Sequence, residues 1–277
     1  FDLKEILRLD SLNSMNQFNI AQVYFELSKD ENSNSKYPSL ARQHLQWSIR
    51  LDKNNIESLS LLGELYLAYN KYEDAIKLFN QSLKIDYNQE KTHLLLGYAF
   101  KQLKQTDNAI NCFRNAVNIK PNFFEAHMQL GQIFHLLGDT IALKYYNNAL
   151  DLKPFDEMVL YNKALFYQSI LDWNKALDSY ALLHSVSPFH ADGHYNIGFI
   201  HMELELYDVA TNNFSDAIYS NSEFYQAYYS RGICFETLGN IAQAESDYKR
   251  SIEINPQYNY AIEALQKLTE KNIKYSR

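Results

Sequence analysis

Small residues recur along this chain at a spacing of 34 residues. The glycines in this series are Gly63, Gly97 and Gly131, followed by Gly198 and Gly232. Alanines keep the same step, with one slip of 33: Ala41, Ala75, Ala109, Ala142, Ala176, Ala210 and Ala244. A fixed period of this length is the signature of a repeat architecture, in which each unit is one supersecondary element.

The period divides the chain into seven units, within which we number positions from 1 to 34. The units are 14–55, 56–89, 90–123, 124–156, 157–190, 191–224 and 225–258. Position 8 is small in every unit, position 20 is always alanine, and positions 11 and 24 are mostly aromatic. Positions 4, 7, 8 and 11 form one apolar stripe at helical spacing, and positions 20, 24 and 27 form another. The pattern therefore predicts two amphipathic helices per unit, which approach closely where position 8 faces position 20.

This pattern resembles the tetratricopeptide repeat family over residues 14–258. The resemblance implies an all-α fold, a right-handed α-α superhelical solenoid of about seven helix pairs. One helix pair cannot bury both of its faces, so the units are expected to stack. We expect residues 259–277 to form a C-terminal capping helix, because Gln266 stands there in place of the small residue of position 8.

Three segments depart from the period. The first unit contains eight additional residues in the polar stretch from Ser28 to Pro38, which we interpret as a solvated loop. Unit 124–156 lacks one residue in its turn. Residues 1–13 match the end of a second helix, so we expect an N-terminal helix that ends a truncated or atypical repeat. Both a longer array upstream and a docking N-terminal helix agree with this match.

Composition and charge argue against several classes of partner. The net charge of −7 argues against nucleic acid, which requires basic surfaces. No apolar run approaches the ~18 residues of a membrane-spanning helix. Cys112 and Cys234 are four units apart, which is too far for a disulfide in a solenoid. Free thiols favour a reducing compartment such as the cytoplasm, although they also agree with export after signal removal.

We expect no catalytic residue, metal or cofactor. Seven of the eight glycines occupy repeat positions, so they form no phosphate-binding loop, and the chain has no HExxH, GxSxG or CxxC motif. Asp192, His194 and His201 could be read as metal ligands. However, His194 and His201 fall at positions 4 and 11, which favours histidines that pack within the fold.

The resemblance further implies that positions 2, 5, 6, 9 and 12 of the first helices line a concave groove. In the last four units these positions carry Met128, Met158, Tyr161, Leu165, Tyr195, Phe199, Met202, Tyr229 and Ile233, with the amides Asn162 and Asn196 at position 6. We expect the tyrosines at position 5 to form a ladder outside the helix-pair core. Exposed aromatic and methionine surface usually marks a partner site. The alternative is that these side chains pack against neighbouring first helices.

The sequence therefore predicts a non-enzymatic protein-interaction scaffold that binds a peptide or helix with apolar anchors and neutral or basic flanks. The alternatives are a substrate-recruiting repeat arm of a larger enzyme and a self-associating structural protein, so a homo-oligomer is possible. A clamp for an acidic C-terminal carboxylate is not expected, because only Lys91 and Lys101 supply cations. The acidic residues in the groove positions are Glu57, Glu64, Glu125, Asp192 and Glu236.

Overall fold

The computed structural model describes residues 13–29 and 36–275, and the side chains of these residues up to 270. The expected helix at residues 1–13 thus lies outside the described residues except for Asn13. The side-chain oxygen of Asn13 accepts hydrogen bonds from the backbone N–H groups of Met15 and Asn16 and so caps the first helix. The additional segment of the first unit is described only at its two ends.

The described residues form fifteen α-helices and no strand. They are α1 (Ser14–Leu27), α2 (Tyr37–Leu51), α3 (Ile56–Ala68), α4 (Tyr72–Ile85), α5 (Glu90–Gln102), α6 (Thr106–Ile119), α7 (Phe124–Leu136), α8 (Ile141–Leu152), α9 (Glu157–Ser169), α10 (Trp173–Val186), α11 (Ala191–Glu203), α12 (Tyr207–Ser220), α13 (Tyr225–Thr237), α14 (Ile241–Ile254) and α15 (Asn259–Tyr275). Four of the second helices end two residues before a proline at position 32, which cannot continue the helix.

The chain divides into two compact units after Leu137, inside the turn of repeat 124–156. In the first unit, α1 pairs with α2, α3 with α4 and α5 with α6, and α7 packs on α6. In the second unit, α9 pairs with α10, α11 with α12 and α13 with α14, while α8 packs on α9 and α15 packs on α14. This succession of neighbouring pairs is the all-α solenoid fold predicted from the sequence, and α15 is its capping helix.

The core of each pair is built from positions 8, 20 and 24. All seven alanines at position 20 are fully buried, and the side chain at position 24 is at most 1% exposed. A Cβ atom at Gly63 would lie 2.5 Å from Cε1 of Phe79, and one at Gly198 would lie 2.8 Å from Cδ1 of Phe214. The small residue at position 8 therefore makes room for the ring at position 24. The expectation that position 8 is small because of the alanine at position 20 was incomplete.

The turn inside six of the seven helix pairs contains a left-handed residue at position 15. Its φ angle lies between +57° and +81° in six repeats: Asn70, Lys104, Gly138, Leu171, Glu205 and Gly239. In most of them the next N–H donates to the carbonyl of position 11, as from Asp172 to Tyr167 at 2.9 Å. This is the hydrogen bond of a Schellman C-cap. The same turn thus forms whether position 15 is glycine or a residue for which this φ is strained.

Histidine at position 4 links consecutive repeats. The Nε2 atoms of His93, His127 and His194 lie 3.1, 2.8 and 2.8 Å from the carbonyl oxygens of Tyr87, Pro121 and Pro188, six residues earlier. Because a carbonyl oxygen only accepts, each Nε2 carries the hydrogen and donates. All three rings are buried, so His194 packs within the fold as expected.

The other candidate ligands and thiols also have structural surroundings. His201 is half-buried, and its Nδ1 lies 3.3 Å from the side-chain amide of Asn213. No cluster of three His, Cys, Asp or Glu side chains among the described residues could hold a metal ion. Cys112 and Cys234 are free and buried, and burial raises the pKa of each thiol to about 12. Within the described ranges, no helix combines the length and apolar character needed to cross a membrane.

Candidate functional site

We define the first-helix face of the second unit as the side chains at positions 2, 5, 6, 9 and 12 of α9, α11 and α13. Ten of the predicted site residues lie on it: Met158, Tyr161, Asn162, Leu165, Tyr195, Asn196, Phe199, Met202, Tyr229 and Ile233. The remaining residue, Met128, is half-buried on α7 in the first unit.

The three tyrosines at position 5 pack on the core, so the expectation that they lie outside it was wrong. The rings of Tyr161, Tyr195 and Tyr229 lie 6.3, 5.5 and 6.0 Å from the position-24 rings of their own repeats, Tyr180, Phe214 and Tyr248. On its other side each tyrosine meets the ring at position 34, which is His190, Phe224 or Tyr258, at 4.8 to 5.3 Å. Each tyrosine is therefore a half-buried packing residue.

The tyrosine hydroxyls connect neighbouring first helices. The side-chain amide of Asn196 donates to the Tyr161 hydroxyl at 3.2 Å, which joins α11 to α9. The Tyr195 hydroxyl lies 3.4 Å from the hydroxyl of Ser230, which joins α11 to α13. These contacts make the first-helix face one continuous surface. They also engage Asn196, whereas Asn162 makes no side-chain hydrogen bond to the described residues.

Only some of the predicted residues remain available for a ligand. Met202 and Ile233 pack against core clusters, as the tyrosines do. Leu165 and Phe199 at position 9 are half-buried. Met158 is 54% exposed. The candidate apolar contacts for a ligand on this face are therefore Met158, Leu165 and Phe199.

A cleft of about 550 Å³ opens between α13 and α15. Its apolar and aromatic lining consists of Tyr229, Ile233, Tyr248, Tyr260 and Ala264, and its polar lining of Glu236, Thr237, Glu263 and Lys267. The contribution of α15 to a cleft is not among the predictions from the sequence, which treat this helix only as a cap. The signal was present, because Tyr260, Glu263 and Lys267 occupy positions 2, 5 and 9 of what would be an eighth first helix.

The charge on the first-helix face of the second unit is mainly negative. Asp192 lies on α11 and Glu236 on α13, and no lysine or arginine occupies a position of this face. In the first unit, both lysines in groove positions are engaged. Lys91 pairs with Glu64 at 3.1 Å, and the Lys101 ammonium donates to the Gln129 side chain at 2.7 Å. Burial lowers the pKa of Lys101.

Comparisons with known proteins identify the repeat. Family models described as tetratricopeptide repeat match residues 58–91 and 225–258, and a model described as TPR repeat matches residues 97–138. The matches at 58–91 and 225–258 each span 34 residues, which agrees with the period found above. No curated protein matches the chain.

Solved structures share the fold at low sequence identity. One is the C-terminal part of a TPR repeat-containing protein from Cytophaga hutchinsonii, with a TM-score of 0.76 and 15% identity over 90% of this chain and 99% of that one. A second is MamA from Desulfovibrio magneticus RS-1, with a TM-score of 0.57 and 16% identity over 61% of this chain and 96% of that one. The third is a chain of the Cut9–Hcn1 hetero-tetramer, with a TM-score of 0.56 and 15% identity over 91% of this chain and 52% of that one.

Proposed function

Because the chain is a tetratricopeptide repeat protein, we propose that it is a non-enzymatic protein-interaction scaffold whose first-helix face in the second unit binds a peptide or helix. The observation that carries this proposal is the pair Leu165 and Phe199. They occupy position 9 of consecutive first helices and are both partly exposed. Apolar side chains that remain partly exposed on a shared helix face are typical of partner sites.

The chemistry around these two side chains indicates the kind of partner. Tyr161 and Tyr195 occupy position 5 of the same helices and are partly exposed, and such rings give large contact area with little loss of entropy. Asn162 offers a side-chain amide that can hydrogen-bond a peptide backbone without reading its sequence. The negative charge of Asp192 and Glu236 favours a partner with basic residues beside its apolar anchors.

A related fold serves assembly in at least one solved structure, since Cut9 and Hcn1 form a hetero-tetramer. This likeness supports a scaffold role for the present chain and does not identify its partner.

The proposal is tested by selecting peptides from a randomised library on the purified protein. We expect peptides with apolar anchors and basic residues, whose affinity falls more than about tenfold in Phe199→Ala, as for a typical interface hot spot. Leu165→Ala should weaken the same peptides. Asp216→Ala is the control, because Asp216 is exposed on α12, outside the first-helix face.

Two results would overturn the proposal. One is the recovery of peptides that bind Phe199→Ala and Leu165→Ala as well as the parent protein. The other is a mass that rises with concentration in the parent and not in Phe199→Ala, because the face would then bind a second copy of this chain.

A further inference from the structure

We propose that the cleft between α13 and α15 is a subsite for one positively charged side chain of the bound peptide, a lysine ammonium or an arginine guanidinium. This assignment rests on the proposed function of the adjoining first-helix face, and it names a part of the ligand that the face itself does not specify.

Aromatic rings form the walls of the cleft. Tyr229 and Tyr260 line it with their centroids 6.3 Å apart and their planes at 44°. Tyr258 packs on both, 5.3 Å from Tyr229 at 88° and 5.5 Å from Tyr260 at 59°. The lining rings of Tyr229 and Tyr260 are therefore inclined to each other and not stacked as a flat layer, and Tyr258, which does not line the cleft, packs against both. The negative face of an aromatic ring attracts a cation within about 6 Å.

Two carboxylates add to this attraction. Glu236 lies on the α13 side, where its side chain accepts a hydrogen bond of 3.0 Å from the buried Tyr248 hydroxyl and is held in place. Glu263 lies on the α15 side, is exposed, and forms no ion pair or hydrogen bond with the described residues. It is close enough to raise the pKa of Tyr229, although burial of that phenol and the neighbouring Tyr260 contribute more. The raised pKa keeps the phenol of Tyr229 neutral, so this residue presents a ring and not a phenolate to a ligand.

One resident cation lies at the cleft. Lys267 is four residues after Glu263 on α15 and yet forms no ion pair with the described residues. With two carboxylates and one ammonium, the cleft keeps a net negative charge. Lys267 should compete with a ligand cation for Glu263. Removal of the Lys267 charge should therefore strengthen binding, whereas removal of the Glu263 charge should weaken it.

The same lining disfavours other occupants. An apolar side chain would remove the Glu236 and Glu263 carboxylates from water without compensation, which is costly. An anion would meet two carboxylates. A basic side chain satisfies both the rings and the carboxylates, and its aliphatic stem can contact Ile233 and Ala264.

The direct test uses small probes that carry only the side chain. N-acetyl-arginine methylamide and N-acetyl-lysine methylamide should shift the tyrosine ring resonances of Tyr229 and Tyr260 saturably in an NMR titration. N-acetyl-citrulline methylamide, which has nearly the shape of arginine without its charge, should bind about fivefold or more weakly, given the size of one cation–π contact and one carboxylate pair. Equal binding of the citrulline probe, or no movement of these rings with the charged probes, overturns the proposal.

Three variants that each remove one charge locate the site. We expect Glu263→Gln to weaken the arginine probe several-fold and Lys267→Gln to strengthen it. Asp216→Asn, with the same loss of a carboxylate on α12, should leave it unchanged. All three side chains are exposed, so the melting temperature should stay the same. Loss of binding in Asp216→Asn equal to that in Glu263→Gln would show a general charge effect and overturn the assignment.

The outcome for the selected peptides separates this proposal from the previous one. A selected peptide whose affinity does not respond to Arg→citrulline or Lys→norleucine replacement, or to Glu263→Gln, overturns the subsite and leaves the scaffold function standing. If no peptide is selected while the arginine probe binds normally, the scaffold function is overturned and the cation chemistry of the cleft stands.

Discussion

The ring at position 24 and the residue at position 8 fit each other as a pair. Where position 8 is glycine, as at Gly198, the ring of Phe214 occupies the space that a Cβ atom would need. Where position 8 is alanine, the partner is the smaller Leu45 for Ala21 but the ring of Tyr180 for Ala164. In the glycine repeats, the ring thus fills the space that the missing Cβ atom leaves, whereas repeat 157–190 accommodates both a Cβ atom and a ring.

This fit predicts that Gly198→Ala destabilises the protein. Overpacking against Phe214 should lower the free energy of unfolding by ~1–3 kcal/mol. The better helix propensity of alanine should offset about 1 kcal/mol of this loss. The net loss should be measurable by urea denaturation. The double variant Gly198→Ala with Phe214→Leu recreates the Ala21–Leu45 pairing, so it should be more stable than the sum of the two single changes predicts. Strict additivity would contradict the pairing.

Tyr195 should be more important for stability than its partly exposed position suggests. Its ring contacts Phe214 and Phe224 at 5.5 and 5.0 Å. Tyr195→Ala should therefore cost ~2–4 kcal/mol, as for a large core side chain. Tyr195→Phe keeps both ring contacts and loses only the long hydroxyl contact to Ser230, so it should remain close to the parent in a thermal melt. An unchanged melting temperature for Tyr195→Ala would show that the ring is not part of the core.

A turn between paired helices contains backbone strain that a glycine substitution can relieve. Leu171 adopts φ of +59° and is exposed, so its side chain gains little from packing to offset the left-handed conformation. Leu171→Gly should therefore stabilise the protein by ~1 kcal/mol. The same change at Leu204, which is also exposed but has negative φ, is the control and should destabilise it. Equilibrium unfolding in denaturant distinguishes the two.

The link that His93 forms between two repeats should respond to acid. Burial lowers the pKa of His93 below 6.5, although the hydrogen bond to the Tyr87 carbonyl opposes this shift. Burial also lowers the pKa values of His44, His135 and His201. The unfolded chain therefore binds protons more readily than the folded one below pH 6.5, and the free energy of unfolding should fall as the pH decreases through that range.

A variant separates the contribution of one ring. His93→Gln keeps a side-chain N–H that can donate toward the Tyr87 carbonyl and has no proton to gain. We expect its free energy of unfolding to depend less steeply on pH between 7 and 5 than that of the parent. Equal slopes in denaturation series at several pH values would show that the titration of His93 does not contribute.

The helix pairs were predictable because their signals are local. Alanine at position 20 gave the register, and proline at position 32 marked the ends of four second helices. The left-handed turn was visible only at Gly138 and Gly239, because Lys104 and Glu205 carry no sequence sign of positive φ. The packing of the position-5 tyrosines between the rings at positions 24 and 34 was not predicted. It depends on which ring the loop after the second helix places against the first helix.

The candidate site was only partly predictable for the same reason. Helical spacing placed Leu165 and Phe199 on the first-helix face, but it could not separate them from Met202 and Ile233, which pack on the core. That distinction depends on contacts between helices. The cleft at α15 was not predicted because α15 lies after the last 34-residue unit and does not follow the repeat pattern.

The chain as a whole should open in two steps. The boundary between its two compact units lies between Leu137 and Gly138, within a repeat and not between two repeats. In a solenoid, stability is approximately a sum over repeats and their nearest neighbours, so a division of this kind separates cooperative units. Native-state hydrogen exchange in increasing denaturant should place α5 and α6 in one class and α11 and α12 in another. A single class across all four helices would contradict this.

The pairing of positions 8 and 24 determines where tetratricopeptide units of this chain could be recombined. Both partners lie within one repeat, on its two helices, whereas the histidine at position 4 reaches a backbone carbonyl of the preceding repeat, which any residue supplies. A crossover in the turn at positions 13–16 would combine a first helix with a foreign ring, for example Ala21 with the ring of Phe79. A crossover at positions 32–34 keeps each residue of position 8 with its own partner at position 24, so chimaeras that exchange whole helix pairs should be more stable than chimaeras that exchange single helices.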